Sequence, residues 1–153
     1  MKNNNYELVL ETTCAKLQGP EPEKVLSLSI ELGSTPELYC ELGFPQLPLA
    51  MRVTNLDKIL FRHGIPIRIL KGIYGTLLEP KAVFRSHTHA NDGNAVVLSF
   101  EEHHLGPVVI ILHANIRLGR DRFVNEVKSI YAKENPDFER MWRKEGLLLW
   151  EKK

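Results

Sequence analysis

The sequence lacks the features that define several protein classes. Its two cysteines, Cys14 and Cys40, form no CxxC motif, so neither a disulfide framework nor a cysteine-based zinc site is supported. No apolar run approaches the roughly 18 to 20 residues that cross a bilayer, and the first ten residues contain no long apolar stretch of the signal-peptide kind. We therefore expect a soluble, cytoplasmic protein without a membrane partner.

A strong excess of charge of one sign is also missing. Twenty Lys and Arg residues face 19 Asp and Glu residues, for a net charge of +1, which excludes histone-like binding of nucleic acid. The distribution is uneven, with 3 basic and 7 acidic residues in 1–50 (net −4), 7 and 5 in 51–116 (+2), and 10 and 7 in 117–153 (+3). The basic part is compatible with a surface for a polyanion and equally with an ordinary mixed surface.

A length of 153 residues suits one compact domain. The proline-rich stretch GFPQLP at 43–48 predicts a connection rather than a strand or helix. It separates an acidic segment, 1–48, which we expect to pack on the same domain, from a second part, 49–153. In the first segment Leu26, Leu28 and Ile30 alternate with polar residues and predict a strand.

The second part begins with helical patterns and continues with strands. A helix from Asn55 to His63 is predicted, with Thr54 as its cap and Gly64 as its stop, followed by a helical turn or two over 67–74. Three strands are then predicted, the first two joined by the hairpin turn Asn91-Asp92-Gly93; they are KAVFRSH, NAVVLSF and PVVIILH.

The last third combines an ambiguous segment with a clear ending. Residues 122–131 fit either a helix or a strand by periodicity alone. Asn135 and Pro136 predict the start of a helix that Gly146 ends, and LLLWE predicts a closing strand. The expected fold is α+β, with helices packed on one side of a small, mostly antiparallel sheet.

Several short motifs occur in a fixed order from about residue 50 onward. They are Leu56-Asp57-Lys58-Ile59-Leu60 with His63, Glu79-Pro80 before Phe84-Arg85-Ser86, the strand from Val108 to Leu112, Val124 to Tyr131, and Trp142 with Gly146-Leu147-Leu148. In this order the chain resembles the phage nuclease-like domains grouped with barnase, EndoU, colicin-type tRNases and RelE, which are found in phage MuF head proteins and polyvalent phage proteins.

The resemblance implies a barnase/RelE-like fold, a strand at 122–131, and metal-independent cleavage of RNA. It also implies a toxin or phage-associated effector, with RNA such as tRNA as substrate, a neutralising or immunity protein as partner, and the host cytoplasm as the place of action. A metal-free ribonuclease must take the proton of the ribose 2′-OH, protonate the departing 5′-oxygen and stabilise charge on the phosphate. Each proton transfer contributes about 10²- to 10⁴-fold to the rate.

Two groups of residues are candidates for this chemistry. In the first, Arg85, His87 and His89 share one face of an extended strand, with Ser86 between them as a candidate substrate contact. The resemblance also includes Arg85. The structural alternative is that polar side chains are simply exposed beside the Asn-Asp-Gly turn.

The second group lies within the ambiguous segment, 122–131. On a strand, Ser129 and Tyr131 point to one face and Lys128 to the other, so a shared pocket requires a bulge. We expect Ser129 and Tyr131 to act on the phosphate or in proton transfer, with Lys128 and Asn125 as binding or supporting residues. The alternative is that Tyr131 is a core aromatic residue.

His63 corresponds to a position where the resembled family often has histidine, although a histidine at a helix end also interacts favourably with the helix dipole. A metal site built from His87, His89, His103 and His104 is the competing chemistry, but no carboxylate or thiol has matching spacing. We therefore expect no metal and no other cofactor. The other classes left open are a non-catalytic RNA- or DNA-binding module and a protein-interaction module.

Overall fold

A computed structural model of the chain describes residues 4–86 and 93–153. The helices are α1 (Asn4–Leu17), α2 (Glu23–Leu26), α3 (Glu37–Glu41), α4 (Val53–Phe61), α5 (Ile67–Lys71), α6 (Ile73–Leu78) and α7 (Phe138–Lys144). The strands are β1 (Ser29–Ser34), β2 (Pro48–Arg52), β3 (Ala82–Arg85), β4 (Ala95–His103), β5 (Gly106–Arg117), β6 (Phe123–Ala132) and β7 (Leu148–Glu151). None of the helices in these two ranges is long and apolar enough to cross a membrane.

The strands form one seven-stranded sheet in the order β1-β2-β6-β5-β4-β3-β7. All neighbouring pairs are antiparallel except β2 and β6, which are parallel. The α+β class is confirmed, but the sheet is mixed and larger than the small sheet predicted. Strand β2 was not predicted, and together with β1 it extends the sheet beyond β6.

Helices cover both faces of the sheet, so the prediction that they lie on one side is wrong. Most helices pack on a large core that includes Leu56, Ile59 and Val97, whereas α7 covers a smaller core on the other face. In that second core Trp142 makes edge contacts with Phe84 and Phe138, with ring centroids 5.3 and 5.1 Å apart. The sequence does contain a pattern that predicts two covered faces. The runs AVVL and VVIIL consist of consecutive apolar residues, which are typical of a strand buried on both sides.

The acidic first segment is part of the large core. The Tyr6 hydroxyl donates to the Leu70 carbonyl at 2.7 Å, and the Tyr39 hydroxyl donates to the Leu77 carbonyl at 2.6 Å. Helix α1 was not predicted, because its apolar positions form only a weak stripe among polar residues. The strand predicted from Leu26 begins later, because α2 ends at Leu26 and β1 starts at Ser29.

Several boundaries in the second part differ from the predictions. Helix α4 begins at Val53, so Thr54 lies inside the helix and is not its cap. Gly64 does follow the helix with a φ of +65°, as its predicted role as a stop requires. Residues 123–132 form a strand, which confirms the strand alternative, and α7 begins at Phe138 rather than at Pro136. The predicted turn at Asn91 and Asp92 lies outside the described residues.

Helix α4 lies along β6 and brings two charged residues together at its first turn. The Arg52 Nε lies 2.9 Å from the Glu126 Oε2, and the Glu126 side chain is only 3% exposed. Burial raises the pKa of this carboxyl, while Arg52 and Lys128 act in the opposite direction. The ion pair does not provide an aligned hydrogen bond to Oε2, so burial remains the larger influence on Glu126.

This raised pKa predicts a pH-dependent loss of stability. The folded chain holds the Glu126 proton to higher pH than the unfolded chain, whose carboxyl titrates near 4.5. Folding therefore takes up a proton in this window, and the free energy of unfolding falls as pH rises above 4.5. We expect Glu126→Gln to remove this contribution, so that wild type loses stability relative to the variant as pH rises. Urea unfolding of both proteins at several pH values would measure this difference. If the free energies of unfolding of wild type and variant change with pH in parallel, the prediction is wrong.

Candidate functional site

The candidate site lies where the edge of β6 loses its strand neighbour. Strand β2 pairs with β6 only at Asn125 and Glu126, and within the described residues no strand continues along that edge toward Ala132. The end of α4 and the residues after it occupy this position. A free strand edge presents backbone groups that need partners, and His63 supplies one.

The backbone partner of His63 fixes the form of its imidazole ring. The Nδ1 of His63 lies 3.0 Å from the carbonyl oxygen of Ile130. A carbonyl oxygen can only accept a hydrogen bond, so Nδ1 carries a proton. In the neutral ring Nε2 is then the basic atom, and no polar atom of the described residues forms a hydrogen bond with it. His63 is thus held in the tautomer that can take up a proton at Nε2.

Ser129 and Tyr131 adjoin this histidine. The Ser129 Oγ lies 3.4 Å from His63 Nδ1, as a second and longer contact of the same N–H. The rings of His63 and Tyr131 meet edge to face, with centroids 5.8 Å apart. Burial raises the pKa of the Tyr131 hydroxyl, so this group stays protonated at neutral pH and acts as a hydrogen-bond donor rather than a base.

These side chains line an open cleft of about 490 Å³, called here the His63 cleft. Its lining residues are Arg62, His63, Leu105, Ser129, Tyr131, Ala132 and Glu134. Sequence reasoning missed Arg62 and Glu134. Arg62 could have been found, because it is adjacent to the candidate His63 in the sequence. Glu134 could not, because it follows β6 in a loop whose course the sequence does not reveal.

The turn between β4 and β5 closes one side of this region. The ring of His103 is fixed at both nitrogens, since Nδ1 accepts from the Leu105 N–H at 3.2 Å and Nε2 lies 3.3 Å from the Gly64 carbonyl. Nε2 therefore carries the proton. The contact joins the turn to the residue that directly follows His63 and holds Leu105 at the cleft.

A bulge at Lys128 explains why Ser129 and Tyr131 lie on the face of β6 opposite to Val127. The register with β5 shifts between Val127, opposite Leu112, and Ser129, opposite Ile111. Val127 belongs to the large core, whereas Tyr131 packs against the smaller core on the other face. Lys128 is exposed and does not line the His63 cleft.

The bulge also separates Asn125 from Ser129 and Tyr131. Asn125 is fully buried, and its amide nitrogen donates to Thr35 Oγ1 at 2.8 Å and to the Pro45 carbonyl at 2.9 Å. Its amide oxygen accepts from the Asn115 N–H at 3.1 Å. The side chain joins β6 to the first segment. Both polar atoms of its amide have hydrogen-bond partners within the protein, so Asn125 has no need of a ligand.

The structure does not bring Arg85 into this cleft. Arg85 is exposed at the end of β3, and β4 and β5 lie between β3 and β6. Three strand spacings correspond to about 14 Å. Ser86 is buried, and its N–H donates to the Asn94 carbonyl at 3.2 Å. His87 and His89 lie outside the described residues. Among the residues that the structure describes, no cluster of three or more His, Cys, Asp or Glu side chains could hold a metal ion.

The order of motifs along the chain has a counterpart among known families. The phage MuF C-terminal domain matches residues 58–153, which is more than half of the chain. The chain belongs to this family. All residues that line the His63 cleft fall within the MuF C-terminal domain, whereas α1 to β2 and the start of α4 precede the matched region. No curated protein and no solved structure matches the chain at a significant level.

Proposed function

We propose that this phage MuF C-terminal domain is a metal-independent endoribonuclease. The observation that carries the proposal is the His63 ring, which the Ile130 carbonyl holds with Nδ1 protonated at 3.0 Å while the same side chain lines an open cleft. A fixed tautomer with an available Nε2 is what a general base or acid requires. The resemblance to phage nuclease-like domains supports the same reaction class.

The reaction is a transesterification of the RNA backbone. The ribose 2′-oxygen attacks the adjacent phosphorus, the bond from phosphorus to the 5′-oxygen breaks, and the products carry a 2′,3′-cyclic phosphate and a 5′-hydroxyl. His63 and Glu134 are the two side chains of the cleft that can exchange protons in the two transfers. Each positioned transfer contributes about 10²- to 10⁴-fold.

The remaining polar groups of the cleft suit the phosphate. Arg62 supplies a guanidinium, which binds phosphate oxygens through paired N–H donors. Tyr131 stays protonated because burial raises its pKa, and Ser129 adds a second hydroxyl. Donors placed where charge develops on the phosphate stabilise the transition state more than the ground state.

The experiment is incubation of the purified protein with total RNA and with a defined tRNA in EDTA, followed by analysis of the fragment ends. We expect new 5′-hydroxyl and 2′,3′-cyclic phosphate ends. Intact RNA at high protein concentration would refute the ribonuclease and favour a non-catalytic nucleic-acid-binding module. Cleavage that appears only on addition of zinc or manganese would refute the metal-independent mechanism.

The biological setting is part of the proposal. The family is a phage domain, which supports a phage-delivered toxin or effector that acts on RNA, tRNA included, in the host cytoplasm. Such an enzyme requires a neutralising protein wherever it is made, and we expect that partner to cover the His63 cleft. A neutralising protein that stops RNA cleavage while it leaves the His63 cleft open would contradict this expectation.

A further inference from the structure

A second cleft lies at the opposite end of α4 and is rich in arginine. Its volume is about 510 Å³, and its lining includes Arg52, Arg117 and Arg122 together with the hydroxyl residues Ser27, Ser29 and Thr54. None of the described lining residues is acidic. We call it the arginine cleft. Three guanidinium groups and three hydroxyl groups around one concavity form a donor set for anionic oxygens.

Arg117 is the central group, because its charge has no acidic partner. The other two arginines form ion pairs, Arg52 with Glu126 at 2.9 Å and Arg122 with Glu31 at 3.4 Å. Over residues 4–86 and 93–153, no carboxylate lies within ion-pair distance of Arg117. Within these ranges its guanidinium therefore carries a positive charge that no ion pair offsets.

The turn between β5 and β6 holds Arg117 in place. The Arg117 Nε donates to the Gly119 carbonyl at 3.0 Å, and the same guanidinium donates to the Arg120 carbonyl. The Leu118 N–H donates to the Arg122 carbonyl at 2.7 Å and closes the turn, in which Gly119 has a φ of +77°. A guanidinium that is already ordered loses little conformational entropy when it binds an anion.

The two clefts lie at the two ends of one helix. Arg52 precedes α4 and contacts Glu126 of β6, whereas His63 follows α4 and contacts Ile130 of β6. Helix α4 has 9 residues, so at about 1.5 Å per residue its two ends are about 14 Å apart. That distance exceeds the spacing of neighbouring phosphates in an RNA strand, so one phosphate cannot touch both clefts.

We propose that the arginine cleft binds backbone phosphates of the RNA several nucleotides away from the bond that is cleaved. The proposal rests on the proposed function for the identity of the ligand. Phosphates supply anionic oxygens at regular intervals along the strand, which matches a donor set separated from the reacting site. The cleft positions the strand and takes no part in the proton transfers.

The test measures binding without cleavage. Fluorescence anisotropy would follow a 2′-O-methyl RNA of about 12 nucleotides and one of about 3 nucleotides, which lack the attacking hydroxyl, at several salt concentrations. We expect Arg117→Gln to weaken binding of the longer RNA about tenfold, to reduce its salt dependence by about one unit of slope, and to leave the shorter RNA unaffected. Arg140→Gln, which changes an exposed arginine of α7 outside both clefts, is the matched control.

The outcomes separate this inference from the proposed function. Equal affinity and salt slope for wild type and Arg117→Gln would overturn the arginine cleft, even if wild type cleaves RNA. Equal weakening of the longer and shorter RNA would overturn it as well, because the effect would then not depend on distant phosphates. The expected loss for the longer RNA supports the cleft, even if wild type leaves RNA intact.

Discussion

His63→Asn is expected to lower RNA cleavage by about 10²- to 10⁴-fold without unfolding the protein. The asparagine amide can still donate to the Ile130 carbonyl, which accepts from His63 Nδ1 at 3.0 Å. It has no basic nitrogen, so it cannot exchange the proton that Nε2 exchanges. The measurement is the rate of fragment formation from a defined RNA in EDTA, together with the urea midpoint of each protein.

The matched control is His104→Asn, because His104 is exposed and does not line the His63 cleft. It should cut RNA at the wild-type rate. Glu134→Gln, by contrast, should also lower the rate, since Glu134 is the other proton-exchanging group of the cleft. If His63→Asn is folded and cuts as fast as wild type, His63 is not the base or acid and the cleft is not the active site.

Periodicity and turn residues predicted most of the second part of the chain. The strands near 82–85, 95–103 and 106–117 and the helix before Gly64 follow from alternating or continuous apolar runs and from one glycine with positive φ. Helix α1 and the parallel pairing of β2 with β6 did not follow. The first has a weak apolar stripe, and the second depends on contacts between residues about 75 positions apart, which no local pattern encodes.

The candidate site shows the same division. Ser129, Tyr131 and His63 were singled out from the sequence, and the structure brings them together through the Ile130 carbonyl and the bulge at Lys128. Strict alternation would have kept Asn125 on their face and left Lys128 opposite to it. One extra residue in the strand changes this assignment, because every residue beyond a bulge moves to the other face.

Deletion of residues 1–47 is expected to abolish cooperative folding, although the MuF C-terminal domain match begins only at residue 58. The deletion removes nine buried side chains from the large core, namely Tyr6, Leu10, Cys14, Leu17, Val25, Ile30, Leu32, Tyr39 and Phe44. Truncation of one large core side chain costs about 2 to 5 kcal/mol, and a whole domain is stable by only about 5 to 15 kcal/mol. Urea unfolding followed by circular dichroism would show a gradual change instead of a sigmoidal transition.

The same deletion should disturb the candidate site from a distance. It removes Thr35 and Pro45, which accept from the Asn125 amide at 2.8 and 2.9 Å, and it leaves β2 without β1 beside the start of β6. A buried amide without partners costs about 1 to 3 kcal/mol, so β6 would lose its anchor upstream of the bulge that orients Ser129. Deletion of residues 1–5, which ends before the buried Tyr6, is the control and should unfold like the full chain. A cooperative transition of the 48–153 chain near the full-length midpoint would show that the first segment is an attachment to the fold rather than part of it.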